Sequence, residues 1–113
     1  MTDRDRKLCI AYAIIALLAL LGTWSQNLTF FALPENGGLA GFIRATFANP
    51  AAASITIDIL FFGIAAGIWM VVEARRLNIR GVWLYIAFSF LIAISVTFPL
   101  FLIARQRKLA MLR

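Results

Sequence analysis

Histidine is absent from this 113-residue sequence, and cysteine occurs once, at Cys9. Without imidazole there is no histidine-based proton shuttle or haem ligation. A single cysteine excludes an intrachain disulfide, and the two together exclude a multi-ligand His/Cys metal site. Walker loop, serine-nucleophile motif, dinucleotide fingerprint and paired-aspartate metal motif are all missing. No cofactor is named by the sequence, and catalysis is not written into it. Cys9 stands at the start of an apolar run, where a small packed or lipid-facing residue is the simplest role.

Acidic residues are also scarce, five against eleven lysines and arginines, which leaves a net charge of +6. Such a balance suggests nucleic acid only if its placement is ignored. The basic residues sit in short segments beside apolar runs: Arg4, Arg6 and Lys7; Arg75, Arg76 and Arg80; Arg105, Arg107, Lys108 and Arg113. Anionic lipid headgroups explain that placement. No interleaving of aromatic and basic residues forms a nucleic-acid surface.

What the chain has in quantity is hydrocarbon. It is 63% hydrophobic, with a mean hydropathy of +0.90. Apolar runs cover residues 8–27, 52–72 and 81–103. About 20 helical residues cross the ~30 Å core of a bilayer. The sequence therefore reads as an all-α integral membrane protein, one membrane domain over residues 1–113 with three transmembrane helices. A membrane, crossed several times, is the expected location. The basic start followed by an apolar run has the outline of a signal peptide, but Trp24, Gln26 and Asn27 follow where small residues would mark cleavage. A retained first helix is expected.

Between the first two runs, Pro34, Asn36, Gly37 and Gly38 carry turn chemistry. Residues 39–47 then place Leu39, Phe42, Ile43 and Phe47 at helical spacing, too short to cross, and predict an interfacial helix. Asn49-Pro50 breaks it and opens the second span. Asn78 to Gly81 makes a tight connection, Trp83 and Tyr85 form an interfacial pair, and Pro99 is expected to kink the third span. Orientation is not decided by charge. Three straight spans with the N-terminus inside leave six basic residues inside and five outside, and both basic termini fall on opposite sides.

Asp58 is the sharpest feature, because a carboxylate about 9 Å into a span is costly unless paired, protonated, hydrated or turned into protein. Antiparallel threading of three spans puts Gln26, Asn27, Ser95, Thr97 and Arg105 at its depth, with Arg44 and Asn49 in reach from the connector. The expected arrangement is an intramembrane polar cluster, with Asp58 closed by Thr97 or Ser95 and by Arg105 or Arg44. Structural pairing and a binding or proton-handling site both fit it. Gly63 and Gly67 form a GxxxG step about 140° to 180° around the helix from Asp58. The second helix then needs neighbours on two sides. It is either the central helix of the chain or leaves the glycine groove for a partner. Glu73, Arg75, Arg76 and Arg80 mark the opposite boundary as headgroup contacts, with Glu73 paired to Arg76 or Arg80.

Taken together, Phe47-Ala48-Asn49-Pro50, Asp58, Glu73-Ala74-Arg75-Arg76 and the closing run from Ser95 to Arg105, with Pro99 inside it, resemble a family of short bacterial membrane proteins described only as a domain of unknown function. That resemblance covers nearly the whole chain and implies three spans, a bacterial cytoplasmic (inner) membrane as the location, and no established activity. A fainter likeness, an aspartate entering a span and an Arg-Arg exit, is to the membrane family associated with neoxanthin synthesis. This chain lacks that family's histidine and its Gly-Pro-rich final span.

Three functions fit these residues. The first is a non-catalytic accessory or structural subunit of a membrane assembly, with membrane lipids and other subunits or further copies of itself as partners. The second is a membrane enzyme or binding protein for a carotenoid, quinone or isoprenoid lipid. There Asp58 would serve as acid or anchor, and Trp24, Phe62, Trp69 and Phe98 would line a slot for the lipid or pigment. The third is a homo-oligomeric proton-coupled transporter built around Asp58.

Overall fold

The computed structural model describes residues 1–112 and is all α-helical. Its elements are α1 (Asp3–Ala32), α2 (Gly38–Ala45), α3 (Pro50–Leu77), α4 (Val82–Phe88), a turn of π-helix (Ser89–Ala93) and α5 (Ile94–Met111). Three helical segments are long and apolar enough to cross a membrane, Asp3–Ala32, Pro50–Leu77 and Val82–Met111. The protein is a multi-pass membrane protein, with a short additional helix where the connector spacing predicts one.

Local chemistry sets the helix ends. Thr2 and Asp5 form a capping box at the start of α1. At its far end Leu33 turns extended before Pro34. Asn36 then organises the loop, donating to the Phe31 and Leu33 carbonyls and accepting from the Gly38 N–H. Here Gly41 is obligatory, because a β-carbon on it would collide with the Asn36 carbonyl. The rings of Phe30 and Phe31 pack on Phe42 and anchor α2 to the end of α1. The Asn49 side chain accepts from the Ala52 N–H, and Pro50 fills the first turn of α3. Thr56 donates its hydroxyl to the carbonyls of Thr46 and Ala52, binding the end of α2 to α3.

The third apolar segment is folded on itself. Ala93, the last residue of the π-turn and the N-cap of α5, is extended (φ 178°, ψ 139°). The hydroxyls of Ser89 and Thr97 lie 2.5 Å apart, and the rings of Tyr85 and Phe101 have centroids 5.6 Å apart. Along a straight helix those pairs would be separated by about 12 Å and about 24 Å. α4 and α5 are therefore the two arms of a helical hairpin with its tip at Ala93. α5 is the central helix, contacting α1, α3 and α4, whereas α1 and α3 make no substantial contact. Phe101, Met70, Ala74 and Val82 form the buried core where α3 meets both arms.

Hairpin geometry gathers the charges at one end of the molecule. Asp5, near the start of α1, accepts a hydrogen bond from Gln106, near the end of α5. Arg105 reaches Glu73 on the last turns of α3. That end carries Arg4, Arg6, Lys7, Arg75, Arg76, Arg80, Arg105, Arg107 and Lys108, and the opposite end carries Arg44 alone. Arg113 lies outside the described residues. The near-even split expected for three straight spans does not arise, because the third segment returns to the end it left. With α1 and α3 across the bilayer, the hairpin enters and leaves by one face, its tip about 18 Å above Arg105, a little past the midplane of a ~30 Å core.

A backbone that stops being helical at that depth needs hydrogen-bond partners from the protein. Trp24 on α1 donates its indole N–H to the Ile92 carbonyl at 3.0 Å. Ser89 donates to the Tyr85 carbonyl, and Thr97, 3% exposed, meets the Ser89 hydroxyl across the hairpin. Replacing Trp24 by Phe keeps an aromatic ring but removes the N–H and strands the Ile92 carbonyl. The expected cost is about 1–3 kcal/mol, read as a lower Tm in detergent with faster amide exchange confined to residues near the hairpin tip. Unchanged stability and exchange would remove Trp24 from this role.

Candidate functional site

Asp58 lies about 22 Å along α3 from Glu73 and about 12 Å from Pro50. If the ionic layer at Glu73 marks one edge of a ~30 Å core, the carboxylate stands about 8 Å inside the other edge. It opens onto a cleft of ≈ 280 Å³ beside the first turns of α5, walled by Ile15 of α1, Ile59 and Phe62 of α3, and Ile94, Ser95, Phe98 and Pro99 of α5. The cleft lies where α5 holds α1 and α3 apart, since those two helices make no substantial contact with each other.

The polar groups there are few and come from identifiable causes. Pro99 has no N–H to return to residue 95, so the Ser95 carbonyl loses its intrahelical donor. Ser95 lines the cleft with Ile94 from the first turn of α5, and α5 starts without a side-chain cap. Asp58 itself is exposed and makes no hydrogen bond or ion pair among the described residues.

Of the polar cluster expected around Asp58, the structure brings only Ser95 to it. Thr97 faces Ser89 inside the hairpin. Arg105 is at the other end of the molecule on Glu73, displaced because α5 runs parallel to α3 rather than antiparallel. Arg44 is exposed on α2, its guanidinium 3.4 Å from the Ala40 carbonyl, and Asn49 is the N-cap of α3. Gln26 and Asn27 sit beyond Trp24 on α1 and do not line the cleft.

The strongest polar centre is one that the sequence only half discloses. Glu73 is 6% exposed. Its carboxylate accepts from Arg76 at 2.7 and 3.1 Å and from Arg105 at 2.6 Å. Arg105 also lies over the Trp69 ring, 5.4 Å from its centroid, and Trp69 continues into Phe98 and Phe101. Two cations around one carboxylate join α3 to α5 where the hairpin closes. Pairing of Glu73 with Arg76 is as the i,i+3 spacing indicates; Arg80 takes no part.

The GxxxG step does not bring two backbones together within the chain. A β-carbon on Gly63 would meet only Ile94, at an ordinary 3.6 Å, and one on Gly67 would meet nothing within 4 Å. Beside it an apolar pocket of ≈ 370 Å³ lies between α2, α3 and the hairpin, bounded by Leu39, Phe42, Leu60, Met70, Phe90 and Ile94. Its hydroxyl, Ser89, is already engaged in the hairpin. Among the described residues no three His, Cys, Asp or Glu side chains converge to hold a metal ion.

Residues 11–107 match the family described as Protein of unknown function DUF2834, and the chain belongs to that family. No curated protein and no solved structure matches it. Nothing in these comparisons connects it with the neoxanthin-synthesis-associated family.

The Glu73 centre makes an ordered prediction. Glu73→Gln leaves two guanidinium groups without their counter-charge and with one acceptor oxygen in place of two, and is expected to lower the Tm by several degrees. Arg105→Gln, which removes the bond between helices, should cost less, and Arg76→Gln, whose side chain is 58% exposed, least of all. Thermal unfolding of the three variants in one detergent checks the order; an Arg76 variant as damaged as the Glu73 variant would contradict it.

Proposed function

We propose that the protein is a non-catalytic subunit of a membrane assembly, in which a neighbouring chain closes the cleft at Asp58. The supporting observation is the carboxylate itself, exposed at membrane depth with no partner from its own chain among the described residues. An ionised carboxylate in hydrocarbon needs donors. A neighbouring helix supplying a hydroxyl, amide or cation would complete the cleft, whether from a further copy of this chain or from a different subunit. The basic end fits the cytoplasmic face of a bacterial inner membrane, by the excess of lysine and arginine there.

A second reading, a binding protein for a carotenoid, quinone or isoprenoid lipid, is favoured by the ≈ 370 Å³ apolar pocket, which is within the usual size range of small-molecule sites. The pocket offers such a molecule shape and apolar contact, and its one hydroxyl is committed elsewhere. Binding is therefore better supported than turnover.

Native mass spectrometry of the protein released from its own membrane in mild detergent separates the two. The subunit reading predicts a reproducible assembly that weakens in Asp58→Leu and is partly kept in Asp58→Asn, with helical content equal in all three. A monomer that brings no other chain with it and carries a defined pigment or lipid would overturn that reading in favour of the second.

A further inference from the structure

On the side of α3 that faces α4, a charged hollow and an apolar groove meet end to end. The hollow, ≈ 530 Å³, lies between Arg75, Asn78, Arg80 and Lys108, with Trp83 at its rim. Three elements bring the cations together: the last turn of α3, the connection to α4, and the end of α5. Lys108 belongs to this group only because the hairpin returns α5 to that end. The nearest acid, Glu73, is already held by Arg76 and Arg105. Arg75, Arg80 and Lys108 make no hydrogen bond or ion pair among the described residues, so three positive charges face one hollow without a counter-charge.

Beyond Trp83 the surface becomes apolar at once. A groove of ≈ 360 Å³ runs between α3 and the α4 arm, past Val72, Ile68, Gly67 and Gly63, with Ile86 and Phe90 opposite. Gly67 makes its floor, since nothing fills the space where a side chain would stand. From Val72 to Gly63 the groove is about 14 Å long, about half of a ~30 Å hydrocarbon core and so the depth of one leaflet. Trp83, 65% exposed, stands at the junction, where an interfacial tryptophan meets the headgroup level.

We propose that this surface is a site for one anionic phospholipid, its phosphate held by Arg75, Arg80 and Lys108 and an acyl chain lying along Gly67 and Gly63. Charge selects the headgroup, and the length of the groove selects a single-leaflet chain over a free anion. Basic hollows between membrane helices on the cytoplasmic side are suited to such headgroups. The site is independent of the cleft at Asp58 and stands whether or not the protein assembles through it. It gives the glycine step a use as a bed for a lipid chain.

The test places the full chain in bilayer discs of equal phosphatidylcholine and phosphatidylglycerol, then counts retained lipids by native mass spectrometry after mild release. One phosphatidylglycerol is expected to be retained in preference to phosphatidylcholine. That preference should fall about fivefold for each charge removed in Arg75→Gln, Arg80→Gln and Lys108→Gln. Gly67→Leu, which fills the groove, should reduce retention of both lipids. Millimolar inorganic phosphate should not displace the bound lipid. An equal loss of preference in the control pair Arg4→Gln and Arg6→Gln would assign the effect to overall charge and overturn the site. Displacement by inorganic phosphate, or unchanged retention in the charge variants, would overturn it as well.

Discussion

Within hydrocarbon, every backbone N–H and C=O needs a partner from the protein, and the structure depends on how that requirement is met at Ala93. A helix meets it automatically; a reversal does not. Here the donors come from side chains placed for the purpose. The Trp24 indole caps the Ile92 carbonyl from α1, and Ser89 and Thr97 bridge the two arms. The π-turn at Ser89–Ala93 loosens the helix just before it ends. α1 therefore does more than cross the membrane, since it carries the group that makes the reversal tolerable.

From that reversal follow the other main features. α5 returns beside α3 in parallel, which brings Arg105 to Glu73 and layers Trp69 against Phe98 and Phe101. Shape-matched contact of this kind drives helix association where water no longer supplies a hydrophobic force. The reversal also adds Arg105, Arg107 and Lys108 to the six basic residues already at one end, leaving Arg44 at the other among the described residues. Beside the first turns of α5 it leaves a cleft, and Asp58 opens onto that space. Ionic closure at one end and an open cleft toward the other have one cause.

Much of the architecture was legible in the sequence. Composition and run length gave the all-α membrane class, residues 39–47 gave a short connector helix, and Asn49-Pro50 marked the start of α3 where the cap is found. The reversal was hidden, because Leu91-Ile92-Ala93-Ile94 reads as unbroken hydrocarbon and its stabilising groups are scattered at Trp24, Ser89 and Thr97. One signal did point to it: three straight spans put two strongly basic termini on opposite faces. Depth assignments that assumed straight threading moved accordingly. Arg105 went to Glu73 and Thr97 to Ser89, while Ser95, near the tip, remained beside Asp58. The role of Lys108 beside Arg80 had no sequence signal, since the apparent span of residues 81–103 lies between them.

A distance across the third segment tests the hairpin most directly. Spin labels at Trp83→Cys and Ala110→Cys, in a Cys9→Ala background, can be measured by double electron–electron resonance in lipid discs. The folded hairpin places both labels at one end of a body 24 × 23 Å across, so a separation within about 25 Å is predicted. A distribution centred near 40 Å, the length of a straight helix between those residues, would contradict the reversal at Ala93 and the gathering of basic residues that depends on it.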